Sequence, residues 1–223
     1  MLRLAPTVLC AFVLLPALLL CPQRSIAGVI IEKEFTPNHE HLIHFIQGHR
    51  EKLIRWPKGE HTSLAVVDDL DKGIRTYIDY ARKSYYQAPF PKEDGAQFDN
   101  DQVDFKPTGM RRQIVGYRCD EYSASGESPR RGEWTESECI SNELPGAAEY
   151  NQFEELLRRQ YARVGFESPG HEPKGVPLAG ETIDGFGTSG EVVTRIESKV
   201  IPSGEFEPPV EFVRVNRAPG ANR

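Results

Sequence analysis

The chain has 223 residues, 39% of them hydrophobic, with a mean hydropathy of −0.49 and a net charge of −6. These values fit one domain and argue against a disordered chain or a membrane bundle. The acidic balance also argues against a nucleic-acid partner or a polybasic grip on anionic lipid, both of which need a basic surface. The 17 prolines and 19 glycines favour many turns, hence a β-rich fold over a helical bundle.

Residues 1–27 read as a secretory signal peptide. Arg3 precedes an apolar run over residues 4–20, and Ser25 and Ala27 put small residues at the −3 and −1 positions before Gly28. The rival readings are an uncleaved membrane anchor and a lipoprotein signal at Cys21. Leu20 stands before Cys21 where lipid attachment normally wants Gly or Ala. The expectation is export to a periplasmic or extracellular space, with no membrane span left after cleavage. Cleavage would remove Arg3, Arg24, Cys10 and Cys21 and no acidic residue, taking the net charge from −6 to −8. Cys119 and Cys139 would then remain, and an even pair in an oxidising compartment reads as one disulfide.

The domain is expected over residues 28–216. Residues 28–36 (GVIIEKEFT) read as a strand, followed by a turn at Pro37-Asn38. Residues 41–47, 52–56, 62–67 and 74–80 read as further strands at near-regular spacing, and Tyr85-Tyr86 ends the block. Turn residues between them predict an antiparallel meander. Asp68, Asp69, Asp71 and Gly73 read as its fourth turn. Residues 92–106 read as a loop and Pro107-Thr108-Gly109 as a turn. The run from Ile114 to Glu121 reads as a strand with Val115, Tyr117 and Cys119 sharing the inward face. A turn at Ser125-Gly126-Glu127-Ser128-Pro129 leads to a returning strand over residues 132–139.

Pro145-Gly146 starts a helix running to about Val164. Leu144, Tyr150, Phe153, Leu156, Leu157 and Tyr161 recur at three- and four-residue steps and make one apolar stripe. Residues 168–175 read as a loop, residues 176–183, 191–201 and 210–215 as closing strands, and residues 217–223 as a flexible tail. The fold class is therefore α+β, mostly β: an antiparallel sheet packed with one main amphipathic helix.

No catalytic set assembles from these residues. Neither cysteine carries a CxxC partner or an adjacent His or Lys, so the pair reads as structural, with a loop closure contributing about 3 kcal/mol. The bond is expected to tie the sheet to the chain just before the helix. His39, His41 and His44 cluster around Glu40, and His39 and His41 on one strand face could chelate a metal. No Cys or carboxylate at firm spacing completes a set, and a polar strand edge is the favoured reading. Residues 185–190 spell G-x-G-x-x-G, but the β-branched alternation that follows is a strand rather than a helix. The glycines are therefore hairpin punctuation and not a dinucleotide site. The acidic run from Asp68 has Gly73 at the sixth position of a calcium loop, but Leu70 and Lys72 at the third and fifth. No cofactor is expected.

Residues 114–122 (IVGYRCDEY) resemble the I-x-G-Y-x-C-x-x-Y core of the bacterial periplasmic domain-of-unknown-function 4412 family. Other pieces follow in order: an Asp-rich turn before Tyr85-Tyr86, a strand with Trp134 leading to a helix, and Phe206-Glu207-Pro208-Pro209 as an F-x-x-P ending. Cys139 and residues 134–150 depart from the commonest pattern. The family is similar to lipoprotein-carrier (LolA-like) half-barrels. The resemblance implies a curved half-barrel sheet, no cofactor, and a binding or carrier role toward lipid or lipoprotein acyl chains. The alternative is a structural or protein-interaction module of the cell envelope.

Overall fold

The computed structural model describes residues 27–56, 64–90, 103–129, 131–164 and 173–216. The expected signal segment and tail, and parts of both long loops, lie outside the described residues.

Six strands open the domain as an antiparallel meander: β1 (Gly28–Thr36), β2 (His41–Gln47), β3 (Arg50–Trp56), β4 (Leu64–Asp69), β5 (Ile74–Asp79) and β6 (Ser84–Pro89). A second antiparallel run follows: β7 (Lys106–Ile114), β8 (Tyr117–Ser128) and β9 (Gly132–Ser141). Helix α1 (Ala147–Arg163) leads to β10 (Val176–Asp184) and β11 (Gly187–Lys199). Strand β11 pairs with β1 and joins both runs into one open, curved sheet. A two-residue β12 (Val213–Arg214) adds in parallel to β6, giving the order β12-β6-β5-β4-β3-β2-β1-β11-β10-β9-β8-β7.

Both faces of the meander are covered, which explains the unbroken apolar start of β1. Val29 and Ile31 lie in the buried cluster under α1, with Ile46, Phe153, Leu178 and Val193. Ile30 belongs to a second cluster on the other face, with Ala65, Val67, Ile78, Ile201 and Phe206. A strand buried on both sides has no polar face to alternate with. The second cluster is closed by the chain after β11, including the 3-10 turn Ser203–Phe206.

The helix enters without a side-chain cap. Gly146 precedes it at φ 85, and a Cβ there would stand 2.7 Å from the Val29 Cβ. Glycine meets both conditions: a left-handed backbone and a close approach to the sheet. Phe153 is the fully buried residue of the stripe, flanked by Tyr150 and Ala147.

Several boundaries differ from the sequence reading. Strand β4 continues through Asp68 and Asp69, which the sequence marks as a turn, because Asp68 finds a cross-strand partner in Arg75. Ser84–Pro89 is a full strand rather than an ending, and the stretch read as closing strand 210–215 shortens to β12. Strand β11 opens at Gly187, earlier than expected. The largest correction concerns Pro107-Thr108-Gly109, which lies inside β7. An edge strand needs no donor on its outer side and no buried face, so proline and a lack of alternation are tolerated. The turn is instead Val115-Gly116, at φ 44 and 87, which makes a two-residue hairpin of the Ile114–Glu121 run. Val115 is accordingly 41% exposed and not inward with Tyr117 and Cys119. Similarly, Gly126 and Ser128 are in β8; a Cβ on Gly126 would stand 2.6 Å from the Trp134 ring, which lies against that backbone.

Candidate functional site

The far end of the sheet ends on an open edge. Strand β7 is the terminal strand, and eight of its nine residues are exposed; only Ile114 is buried. The opposite edge is the two-residue β12. The two-residue turn makes Ile114 and Tyr117 the hydrogen-bonded pair that closes the hairpin. Pairing then alternates, so the backbone N–H and C=O groups of Gln113 and Arg111 point away from β8. These groups are a template for a further strand.

The same hairpin is basic. Its paired residues, 106–123, hold Lys106, Arg111, Arg112 and Arg118 against Asp120 and Glu121, in a chain of net charge −6. Arg111 donates to Asp120 at 2.9 Å, and both side chains are exposed. Arg112 and Arg118 are exposed and form no ion pair among the described residues. Arg111, Arg112, Gln113, Tyr117, Arg118 and Glu143 border a cleft of about 540 Å³. Composition by stretch could have found this patch; whole-chain charge hid it.

The disulfide stiffens this end. Cys119 and Cys139 are bonded, with Cα atoms 5.3 Å apart. Asp120 pairs with Ile140 and Glu121 with Cys139, so the bond runs diagonally between neighbouring strands β8 and β9. It therefore ties β8 to the strand that precedes the helix and does not reach the helix itself. Both cysteines are 1% exposed and sit in the same buried cluster as Phe153 and Leu178.

A second polar feature lies under the helix. His44, Glu51, Asp68 and Arg75 occupy neighbouring positions on β2, β3, β4 and β5, facing α1. His44 bonds Glu51, and Arg75 grips both Asp68 oxygens at 2.7 and 2.6 Å. Burial pushes the Asp68 carboxyl above its usual value, against the pull of Arg75. Despite its own burial, Arg75 is held above its usual value by Asp68. The two short guanidinium bonds favour the ionised form of Asp68, in opposition to burial. Tyr150 meets His44 edge-on at 6.2 Å, and burial raises its phenol. Arg75 stacks on Phe90 at 4.3 Å, and Phe90 meets Tyr161 edge-on at 5.5 Å. His44, Glu51 and Asp68 are buried, so the row is set for packing rather than for meeting a substrate.

The candidate histidines diverge. His39 stands in the β1–β2 turn at φ 54, with Nδ1 2.6 Å from Glu34. His41 stacks on Trp56 at 5.8 Å. His44 lies on the opposite face of β2 from His41, because their separation is odd. Among the described residues no group of three His, Cys, Asp or Glu gathers as a metal site. The acidic run is also engaged: Asp69 accepts from the Lys72 N–H at 2.9 Å, and Asp71 stands 2.6 Å from His49. Burial alone would raise the Asp69 carboxyl, but the Lys72 N–H and ammonium outweigh it and hold it below its usual value. The glycine-rich run is the β10–β11 hairpin, with Phe186 83% exposed at its tip.

The cleft beside the helix has mixed walls, with Phe105, Ile140, Tyr150 and Pro177 among its apolar lining. Its volume is about 540 Å³, and its polar lining includes Glu138, Asn151, Glu154, Arg158 and Lys174. No described helix is long and apolar enough to cross a membrane.

No family model matches the chain, and no curated protein matches it. Among solved structures, it is similar to an uncharacterized conserved protein from Thermus thermophilus, at 11% identity and a TM-score of 0.49, covering 87% of this chain and 92% of that one. It is also similar to a chain in the Pseudomonas aeruginosa MucA/MucB complex, at 10% identity and a TM-score of 0.47, covering 83% of this chain and 57% of that one. A further similar structure is MucB in complex with MucA(peri), at 11% identity and a TM-score of 0.45, covering 86% and 58%.

Proposed function

We propose that this protein is an exported, non-enzymatic interaction module that binds an extended segment of another protein by adding it as a strand to β7. One observation carries the reading: the terminal strand β7, exposed at eight positions, pairs regularly with β8 over Arg111–Ile114 beyond a bulge at residues 108–110, and its Arg111 and Gln113 backbone groups face outward. The Cys119–Cys139 bond supports export, since such bonds persist in oxidising compartments. It also holds the hairpin rigid, which lowers the ordering cost of binding. The open curved sheet with a single helix supports, again as a proposal, kinship in fold with lipoprotein-carrier half-barrels, while the resemblance to the domain-of-unknown-function 4412 family rests on the sequence motifs alone. The acyl-carrier role draws less support. Phe153, Tyr150 and Ala147 fill the space between helix and sheet, and the cleft beside the helix carries Glu138, Glu154, Arg158 and Lys174 among its apolar lining.

Gln113→Pro tests the reading. It removes one outward N–H, no backbone bond to β8, and the exposed Gln113 side-chain bond to the Gly116 carbonyl. Peptides selected on the wild-type protein from an extended-peptide library should lose binding to this variant while its thermal midpoint holds. Undiminished binding by the variant, or uptake of fatty-acid probes with no peptide bound, would move the function to another surface.

A further inference from the structure

We propose that the segment β7 receives is acidic, with carboxylates spaced to meet Arg112 on one face of the added strand and Arg111 and Arg118 on the other. This rests on the strand-addition reading above and names the chemistry of its partner.

The register supplies the geometry. Arg112 and Ile114 share one face of β7, and Arg111 and Gln113 share the other. Arg118 pairs with Gln113 across the hairpin, so it stands beside Arg111 on that second face. A strand laid on the outer side of β7 would carry side chains on both faces at the same spacing. Cations therefore flank it above and below.

Charge selects the occupant. The paired hairpin, residues 106–123, carries four cations and two anions, Asp120 and Glu121, both on the inner strand β8, against a net charge of −6 for the chain. Arg111 shares its charge with Asp120, whereas Arg112 and Arg118 have no ion-pair partner among the described residues. A second copy of this chain pairing β7 to β7 would bring two such basic edges together, and like charges facing across strands destabilise the pair. An acidic segment instead gains from every cation on the edge and is steered toward it. Arg suits the role, because its planar fork can take a carboxylate with two bonds.

The probes are three nine-residue peptides in which pairs of valines alternate with pairs of glutamates, serines or lysines, so that each pair puts one charged or polar side chain on each face of the strand. Binding to the whole protein is read by fluorescence anisotropy. The expected order is glutamate, then serine, then lysine, with about tenfold between the first two from a few exposed pairs. In 1 M salt, where screening acts within about 3 Å, the three should converge. The double variant R112E/R118E should reverse the order at an unchanged thermal midpoint, and Gln113→Pro should weaken all three. Equal binding of the three peptides to wild-type protein, lost in Gln113→Pro, would overturn the acidic preference and leave strand addition standing. Binding of none of them, or binding indifferent to Gln113→Pro, would overturn both. Sedimentation showing a dimer that Gln113→Pro dissolves would replace the acidic segment with a second copy.

Discussion

Two residue pairs separate covalent from electrostatic stabilisation. The Cys119–Cys139 bond closes a loop of sequence separation 20, and such a closure contributes about 3 kcal/mol. Cys119→Ser should lower unfolding free energy by about that amount in denaturant titration, and native wild-type protein should show no free thiol from this pair. Asp68 and Arg75 form the other pair. With the Asp68 side chain 2% exposed and Arg75 29% exposed, Arg75→Ala leaves a carboxylate buried without its cation. The expected loss is about 3 kcal/mol at neutral pH, the low end for a broken buried pair because Arg75 still meets water. Its pH dependence has a definite sign. Burial already raises the Asp68 carboxyl in the folded state, and removing Arg75 raises it further. A raised acid penalises folding above its folded value and stops doing so below its unfolded value of 3.8. The deficit of Arg75→Ala relative to wild type should therefore shrink as pH falls from 7 toward 4, as measured by chemical denaturation across that range.

The main burden at the element scale falls on α1. Phe153 is fully buried between the helix and β1, β2 and β10, so Phe153→Ala should cost about 3–5 kcal/mol in a melting series. This helix was legible in the sequence, because Tyr150, Phe153, Leu157 and Tyr161 keep helical spacing whatever lies beneath them. The meander was legible for a parallel reason: β1, β2 and β5 were delimited by β-branched runs and turn residues. Strand β7 was not, and the reason is physical. Hydrophobic patterning records burial, and an edge strand with eight exposed residues carries almost none. Pro107 and Gly109 then read as punctuation, although an edge tolerates both. The disulfide was legible as a pair but not as a location. Its place follows from a register, Glu121 opposite Cys139, that depends on where the hairpin turns.

Taken whole, the molecule is a sheet whose meander is covered on both faces and whose two edges differ. The helix covers one face of the meander and the chain after β11 covers the other. One edge is the two-residue β12, while the other is β7, regular over Arg111–Ile114 and bulged before it. Natural sheets blunt a long edge unless it is used, and charge is one means of blunting it. Here the charges are arginines of one sign, which repel a second copy and admit an acidic chain. The same feature thus acts against aggregation and for recognition.

Residue-resolved amide hydrogen exchange, with and without the bound valine–glutamate peptide, tests strand addition most directly. The account predicts slowing at the Arg111 and Gln113 amides, which face outward, with little change at Arg112 and Ile114, which already bond β8. Unchanged exchange at Arg111 and Gln113, with slowing instead across the helix Ala147–Arg163, would contradict it.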